Sequence, residues 1–200
     1  MQPKVILFDL GGVVCRFLPQ RRLAALGEAC GVSAERAERV VYKSGLIEGW
    51  DRGLGSSGDI HRVVRDRLGY PGTLAALREL WCSAFEPDQR VLDLVDGARP
   101  LRTALLTDND QLLLDALPNE LPQVASRFDA LLFSCRFGAT KPSAALFNQA
   151  LEMMGSAAGE AVFVDDKPAN VAAAQALGID AIQFTSAAEL GPSLDRALRR

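Results

Sequence analysis

Hydrophobicity along this chain changes character twice. Val5-Ile6-Leu7-Phe8 is a run of four apolar residues closed by Asp9, with Gly11 and Gly12 just beyond. Such a run predicts a short strand buried on both faces, and the glycines free the backbone after it for a tight bend. From about Gln20 to Val95 the periodicity is helical. Ser33 is placed to cap a helix with Ala37, Val40 and Val41 on one side, and Ser57 or Asp59 one with Ile60, Val63, Val64 and Leu68. Thr73 suits a third, with Leu74, Leu77, Leu80 and Trp81, and Asp88 a fourth, with Val91, Leu92 and Val95. Consecutive helices with no strand among them do not fit a strand–helix–strand repeat. They read as an all-helical insertion.

From Leu101 onward strands and helices alternate. Apolar strands are predicted at Thr103–Thr107, Ala130–Ser134 and Ala161–Asp165, with a weaker one at Ala181–Phe184. Between them lie helices over Leu112–Leu117, Ser143–Met154 and Pro168–Leu177, the last two closed by Gly155 and Gly178. The tail Ser186–Arg200 reads as a final helix. Alternation of this kind implies an α/β fold, a doubly wound parallel sheet with right-handed crossovers. Residues 1–16 and 98–200 would form the core, and 17–97 the small helical domain inserted into it.

Composition narrows the class without naming a function. The chain is 48% hydrophobic and 24% charged, with 22 Lys+Arg against 25 Asp+Glu, which fits an ordinary globular protein and argues against a nucleic-acid partner. Cys15, Cys30, Cys82 and Cys135 include no Cys-x-x-Cys pair and read as free thiols. No apolar run approaches the ~20 residues of a membrane span, and the first strand begins too early to leave room for a signal peptide. A cytoplasmic location is therefore the expectation. His61 is the only histidine, which excludes sites built on several imidazoles.

The candidate chemistry lies at strand ends. Asp9 closes the first strand, and Thr107-Asp108-Asn109-Asp110 closes the second. Gly138-Ala139-Thr140-Lys141-Pro142 follows the third, and Asp165-Asp166-Lys167-Pro168-Ala169-Asn170 ends the fourth. In a parallel sheet these ends share one edge, where ligands bind. Asp9, Asp165 and Asp166 together would repel one another unless a pKa rises or a cation sits among them. Oxygen ligands without histidine favour a hard divalent ion, Mg²⁺ above others. Lys141, the Thr107 hydroxyl and neighbouring N–H groups can hold a phosphate opposite it.

These residues carry a family resemblance. FDLGGV at Phe8–Val13, LLTDN at Leu105–Asn109, GATKP at Gly138–Pro142 and VFVDDKPAN at Val162–Asn170 resemble, in order and spacing, the four signatures of the haloacid dehalogenase superfamily. The similarity is to its phosphatase-like branch with a helical cap after the first strand. The resemblance implies a hydrolase of small phosphorylated metabolites with Asp9 as nucleophile, forming an aspartyl-phosphate. It implies Mg²⁺ held by Asp9, Asp166 and the Gly11 carbonyl, with Asp165 acting through water. Thr107 and Lys141 would hold the phosphoryl oxygens, with Asp108 beside them.

Two positions depart from the pattern. The usual second Asp, which protonates the leaving alcohol, is replaced by Gly11, and Asp108 stands where Asn commonly follows the Ser/Thr. A positioned acid is worth ~10²–10⁴-fold, so Gly11 keeps open a weakly active member that binds a phosphorylated ligand or a protein partner. An FDLG-type subgroup shares the glycine and includes active phosphatases. Asp108 or Asp110 could partly replace the missing acid. A dehalogenase would need no cation, and a response-regulator receiver has its acidic pair before its lysine, so both fit less well. Gly53–Gly58 matches G-x-G-x-x-G without the preceding strand and reads as a flexible loop. Arg16 could face phosphate or solvent, His61 reads as an ordinary surface or satisfied residue, and Asn170 as a pin for its helix or the preceding loop. Neither the substrate nor the oligomeric state is encoded in a recognisable motif.

Overall fold

The computed structural model describes residues 2–199. Its elements begin with β1 (Val5–Phe8), β2 (Cys15–Phe17), α1 (Pro19–Cys30), α2 (Ala34–Val41), α3 (Leu46–Asp51), α4 (Ser57–Leu68) and α5 (Leu74–Cys82). There follow β3 (Phe85–Pro87), α6 (Gln89–Gly97), β4 (Arg102–Thr107), α7 (Gln111–Glu120), α8 (Pro122–Ala125) and β5 (Ala130–Phe133). The chain closes with α9 (Ala144–Met154), β6 (Ala161–Asp165), α10 (Pro168–Ala176), β7 (Asp180–Gln183) and α11 (Ala187–Leu198). The expected final helix is α11; Arg200, the last residue of that expectation, lies outside the described residues.

Five strands form one parallel sheet in the order β5-β4-β1-β6-β7. Because β1 is central, both of its faces must be covered, which is why all four of its residues are apolar and buried. Alternation then sorts them. Ile6 and Phe8 join a core with Leu105, Phe133, Val162 and Val164, packed under α7, α11 and the inserted helices. Val5 and Leu7 face the opposite core, with Ala104, Leu106 and Phe163 beneath Phe147 and Leu151 of α9. The register pairs Phe8 with Leu105 on one side and Val164 on the other. Asp9 therefore emerges between the ends of β4 and β6.

The insertion departs from its expected shape in three places. A strand does lie within it: β3 pairs antiparallel with β2, Phe17 opposite Phe85. Three residues are too few to show alternation, so the pair becomes visible only when both chain crossings meet. The cap of α4 is Ser56 rather than Ser57 or Asp59, and Asp59 reaches back to its backbone in a capping box. The glycine stretch is not a free loop. Gly53 (φ +82°) lies so close to the Cys135 carbonyl that an added Cβ would stand 2.3 Å from its oxygen. His61 is satisfied by the Gly72 carbonyl at 2.8 Å, and Arg16 is paired with Glu86 in solvent. All four cysteines are free.

Asp110 anchors the insertion to the core. It caps α7 by accepting from the Leu113 N–H at 2.8 Å, and its other oxygen accepts from Trp81 Nε1–H of α5 at 2.8 Å. Arg22 of α1, also buried, lies over the Trp81 ring at 4.3 Å and donates to the Trp81 carbonyl. Asp110→Ala deletes a cap and leaves the indole N–H buried without an acceptor. The expected loss is about 2–4 kcal/mol, measured by urea unfolding.

Candidate active site

The sheet topology brings the strand-end residues to one rim. Asp9 follows β1, Thr107 ends β4, Asp165 ends β6, and Lys141 reaches in from the loop after β5. Lys141 Nζ is the hub. It stands 2.8 Å from Asp9 Oδ1, 2.8 Å from Asp165 Oδ2 and 3.0 Å from the Leu106 carbonyl, with all three of its donors engaged. Asp9 Oδ1 also accepts from the Leu10 N–H at 2.7 Å. Burial pushes Asp9 up to about 6 despite Lys141, with Asp165 adding to the rise. For Lys141, burial opposes the charge, but Asp9, Asp165 and Asp108 outweigh it and hold the ammonium above its ordinary value.

Asp165 is saturated. It accepts from Lys141, from the Lys167 N–H at 2.8 Å, and from Asn170 Nδ2 at 3.0 Å on each oxygen. Asn170 thus fixes the carboxylate that in turn fixes Lys141. Asp166 is its opposite: its Oδ1 is buried without a hydrogen-bond partner. Asp9, Asp165 and Asp166 bring carboxylate oxygens within 4.8 Å of one another. Gly12 (φ +94°) lies against this group, and a Cβ there would meet Asp166 Oδ2 at 2.5 Å. A buried carboxylate oxygen without a donor, among like charges, is the environment a hard cation satisfies. The residues present fit Mg²⁺.

Above Asp9 the cavity has two chambers. An inner one of about 100 Å³ is lined by Asp9, Gly11, Phe17, Phe85, Thr107 and Lys141. An outer one of about 310 Å³ is walled by Arg22, Tyr42, Glu48, Asp51, Asp108 and Lys141. Phe17, Asp108, Asn109, Lys141 and Lys167 line both. Thr107 Oγ1 accepts from Asn109 Nδ2 at 2.8 Å, leaving its own hydrogen to donate. Asp108 Oδ1 accepts from the Lys141 N–H at 3.0 Å; burial pushes its carboxyl up, Lys141 working against the shift. Asp110 has spent both oxygens on Leu113 and Trp81 and is part of the scaffold. At Gly11 an added Cβ would meet Phe17 and Phe85 at 3.4 and 3.5 Å, so this aromatic pair fills the space beside it.

Sequence reasoning passed over Ser134 and Asp51. Ser134 sits at the end of β5, fully buried. It carries no pattern signal, because its role is a contact between segments far apart in the chain.

Comparisons with known proteins agree with this architecture. The family model for haloacid dehalogenase-like hydrolases matches residues 3–178. The sesquiterpene phosphatase astK of Aspergillus oryzae is 27% identical over 189 residues, covering 91% of this chain and 90% of that protein. A predicted HAD-like family hydrolase of Porphyromonas gingivalis superposes with a TM-score of 0.80 at 27% identity, covering 100% of both chains. A HAD family enzyme of Bacteroides thetaiotaomicron, solved with magnesium and inorganic phosphate, gives 0.78 at 22% identity, covering 92% of this chain and 94% of that one. Among the described residues no helix is long and apolar enough to cross a membrane.

Lys141→Met removes the only ammonium in contact with Asp9 and Asp165 among the described residues. Breaking so buried a pair costs about 3–5 kcal/mol. The loss should be larger at pH 8 than at pH 5, because at the lower pH Asp9 can take up a proton and shed its unpaired charge. Denaturant titrations at the two pH values check the sign.

Proposed function

The chain belongs to the haloacid dehalogenase-like hydrolases, and on that premise we propose that it is a Mg²⁺-dependent phosphomonoesterase acting on small phosphorylated metabolites. The observation that carries this reading is the unpartnered Asp166 Oδ1 beside the Asp9–Lys141–Asp165 cluster. Three carboxylates with one ammonium hold a surplus of negative charge that a phosphate ester could not approach alone. Asp9, Asp166 and the Gly11 carbonyl would hold Mg²⁺, and Asp165, its oxygens already filled by Lys141, Lys167 and Asn170, would act by its charge rather than through the water expected of it. When bound, the ion neutralises that surplus and the charge of the phosphoryl group.

Asp9 is the nucleophile in this reading. Its carboxylate attacks phosphorus in line, an aspartyl-phosphate forms, and water then releases phosphate and regenerates the carboxylate. The Thr107 hydroxyl and Lys141, one of whose donors would turn from Asp9, bind the phosphoryl oxygens. Asp165 and Asn170 aim Lys141, so the donor geometry is set before substrate arrives. Asp108 holds the Lys141 backbone.

The helices between β2 and β3 act as the cap, closing the outer chamber over the leaving group. We place the far edge of that cap at β3 rather than at residue 97, because α6 packs on α11 of the core. The outer wall carries Arg22, Glu48, Asp51 and Arg52, which suits a polar alcohol better than a hydrocarbon chain.

4-Nitrophenyl phosphate tests the reading. Turnover should require Mg²⁺, stop with EDTA, and fall by at least about 10³-fold in Asp9→Asn, as expected for loss of the nucleophile. EDTA-resistant release of halide from a 2-haloacid would point to alkyl transfer instead. No turnover of any phosphate ester, with phosphate still bound, would leave a binding protein in which Gly11 has cost the activity.

A further inference from the structure

If this is a phosphatase, Gly11 poses a problem: some group must protonate the leaving alcohol, and no side chain at that position does. The phosphoryl group would sit in the inner chamber, against Asp9, Thr107 and Lys141. The outer chamber shares Phe17, Asp108, Asn109, Lys141 and Lys167 with the inner one, so it is where the ester oxygen and the rest of the alcohol would extend. Of the carboxylates there, Asp110 is spent on Trp81 and α7, and Asp108 accepts from the Lys141 N–H. Glu48 and Asp51 remain, both on α3, and neither carboxyl has a hydrogen-bond partner among the described residues; what separates them is how each is held.

The backbone of Asp51 is fastened to the core. The Asp51 carbonyl accepts from Ser134 Oγ at 2.7 Å, and Ser134 Oγ accepts from the Asn109 N–H at 3.0 Å. Asn109 in turn donates to Thr107 Oγ1. Two residues on, Gly53 is pressed against the Cys135 carbonyl. The end of α3 is therefore held in register with the phosphate-binding hydroxyl through three consecutive hydrogen bonds. Glu48, a turn earlier on α3, has no comparable tie.

We infer that Asp51, carried by the insertion, is the acid–base group of the reaction, replacing the side chain absent at Gly11. This rests on the phosphatase reading above. In the first step the Asp9 carboxylate bonds to phosphorus, the bond to the ester oxygen breaks, and that oxygen takes the Asp51 proton and leaves as the alcohol. In the second, water attacks the aspartyl-phosphate and its proton passes to the Asp51 carboxylate. Asp9 departs as carboxylate, so the sum is ester plus water giving alcohol plus phosphate. The surroundings suit the role. Burial pushes Asp51 up to about 8, with Asp110, Asp108 and Glu48 adding to the rise and Arg22 opposing it. Tyr42 and Cys135 also face it. It is protonated at neutral pH and sits near the pKa at which acid and base roles are both accessible.

Kinetics with two probes test this. Nitrophenolate leaves without a proton; propoxide does not. Asp51→Asn should lower kcat/KM for propyl phosphate by about 10²–10⁴-fold and for 4-nitrophenyl phosphate by less than about tenfold. kcat/KM covers only the steps through the first departure, so any slowing of the second step falls on kcat. In the wild type, kcat/KM for propyl phosphate should fall above pH 8, and for 4-nitrophenyl phosphate it should not. That profile needs no variant. Asparagine matches the protonated acid in shape, so the variant should melt no lower than wild type at pH 9, where wild type has lost the stability of the protonated form. Equal losses on both probes, or no alkaline limb specific to propyl phosphate, overturn the assignment and leave the phosphatase reading intact. So does a wild type that cleaves 4-nitrophenyl phosphate but not propyl phosphate. Failure on every ester removes the reading itself.

Discussion

The ammonium of Lys141, buried between Asp9 and Asp165, is the interaction on which the site depends. Desolvating a charge is expensive, and desolvating two carboxylates beside each other more so. The fold accepts this because the three groups come from the ends of β1 and β6 and the loop after β5, and each is rigidly held. Leu106 lends a carbonyl to the ammonium, and Asn170 and Lys167 complete the coordination of Asp165. The deficit left over is concentrated on Asp166, whose inner oxygen has nothing to bind. The scaffold thus satisfies one carboxylate fully and leaves another open, which is how a protein separates a positioning group from one that a ligand must complete.

The parts legible in the sequence were those with a strong local signal. Val5–Phe8 and Ala161–Asp165 are continuous apolar runs because they are covered on both faces, and the polar residues after them stand out by contrast. Their common placement follows from parallel topology alone. Boundaries were less secure where neighbouring residues could serve the same end: Ser56, Ser57 and Asp59 are all plausible caps, and the geometry selects Ser56 with Asp59 as its reciprocal partner. The β2–β3 pair and the Ser134–Asp51 contact were not legible, since each joins segments some 70 to 80 residues apart. Asp110 looked like a candidate acid because it stands near the motif. In the structure it is a helix cap and the acceptor for Trp81, roles set by the packing of α5.

Gly11 shows how one missing side chain reshapes its surroundings. A side chain there would meet Phe17 and Phe85 of the β2–β3 pair, so the space beside it is apolar. The charged groups of the inner chamber lie on its other walls, at Asp9, Asp108, Lys141 and Lys167, and Arg22, Glu48 and Asp51 add charge in the outer one. The core contributes the Asp9–Lys141–Asp165 cluster at the rim, and the insertion contributes Arg22, Glu48, Asp51 and Arg52 to the outer wall. Such a division leaves the rim constant while the wall can vary with the compound it meets.

The insertion is attached to the core along a broad front: the β2–β3 ribbon, the Ser134 hydroxyl under α3, the Trp81–Asp110 bond from α5, and the pairing of Ser57 and Arg78 with Asp115 of α7. A body held along such a front cannot swing away as a unit without breaking several of these bonds together. The wall that bears Asp51 is thereby built as a fixed part of the cavity, its backbone moored to Ser134 at the strand end.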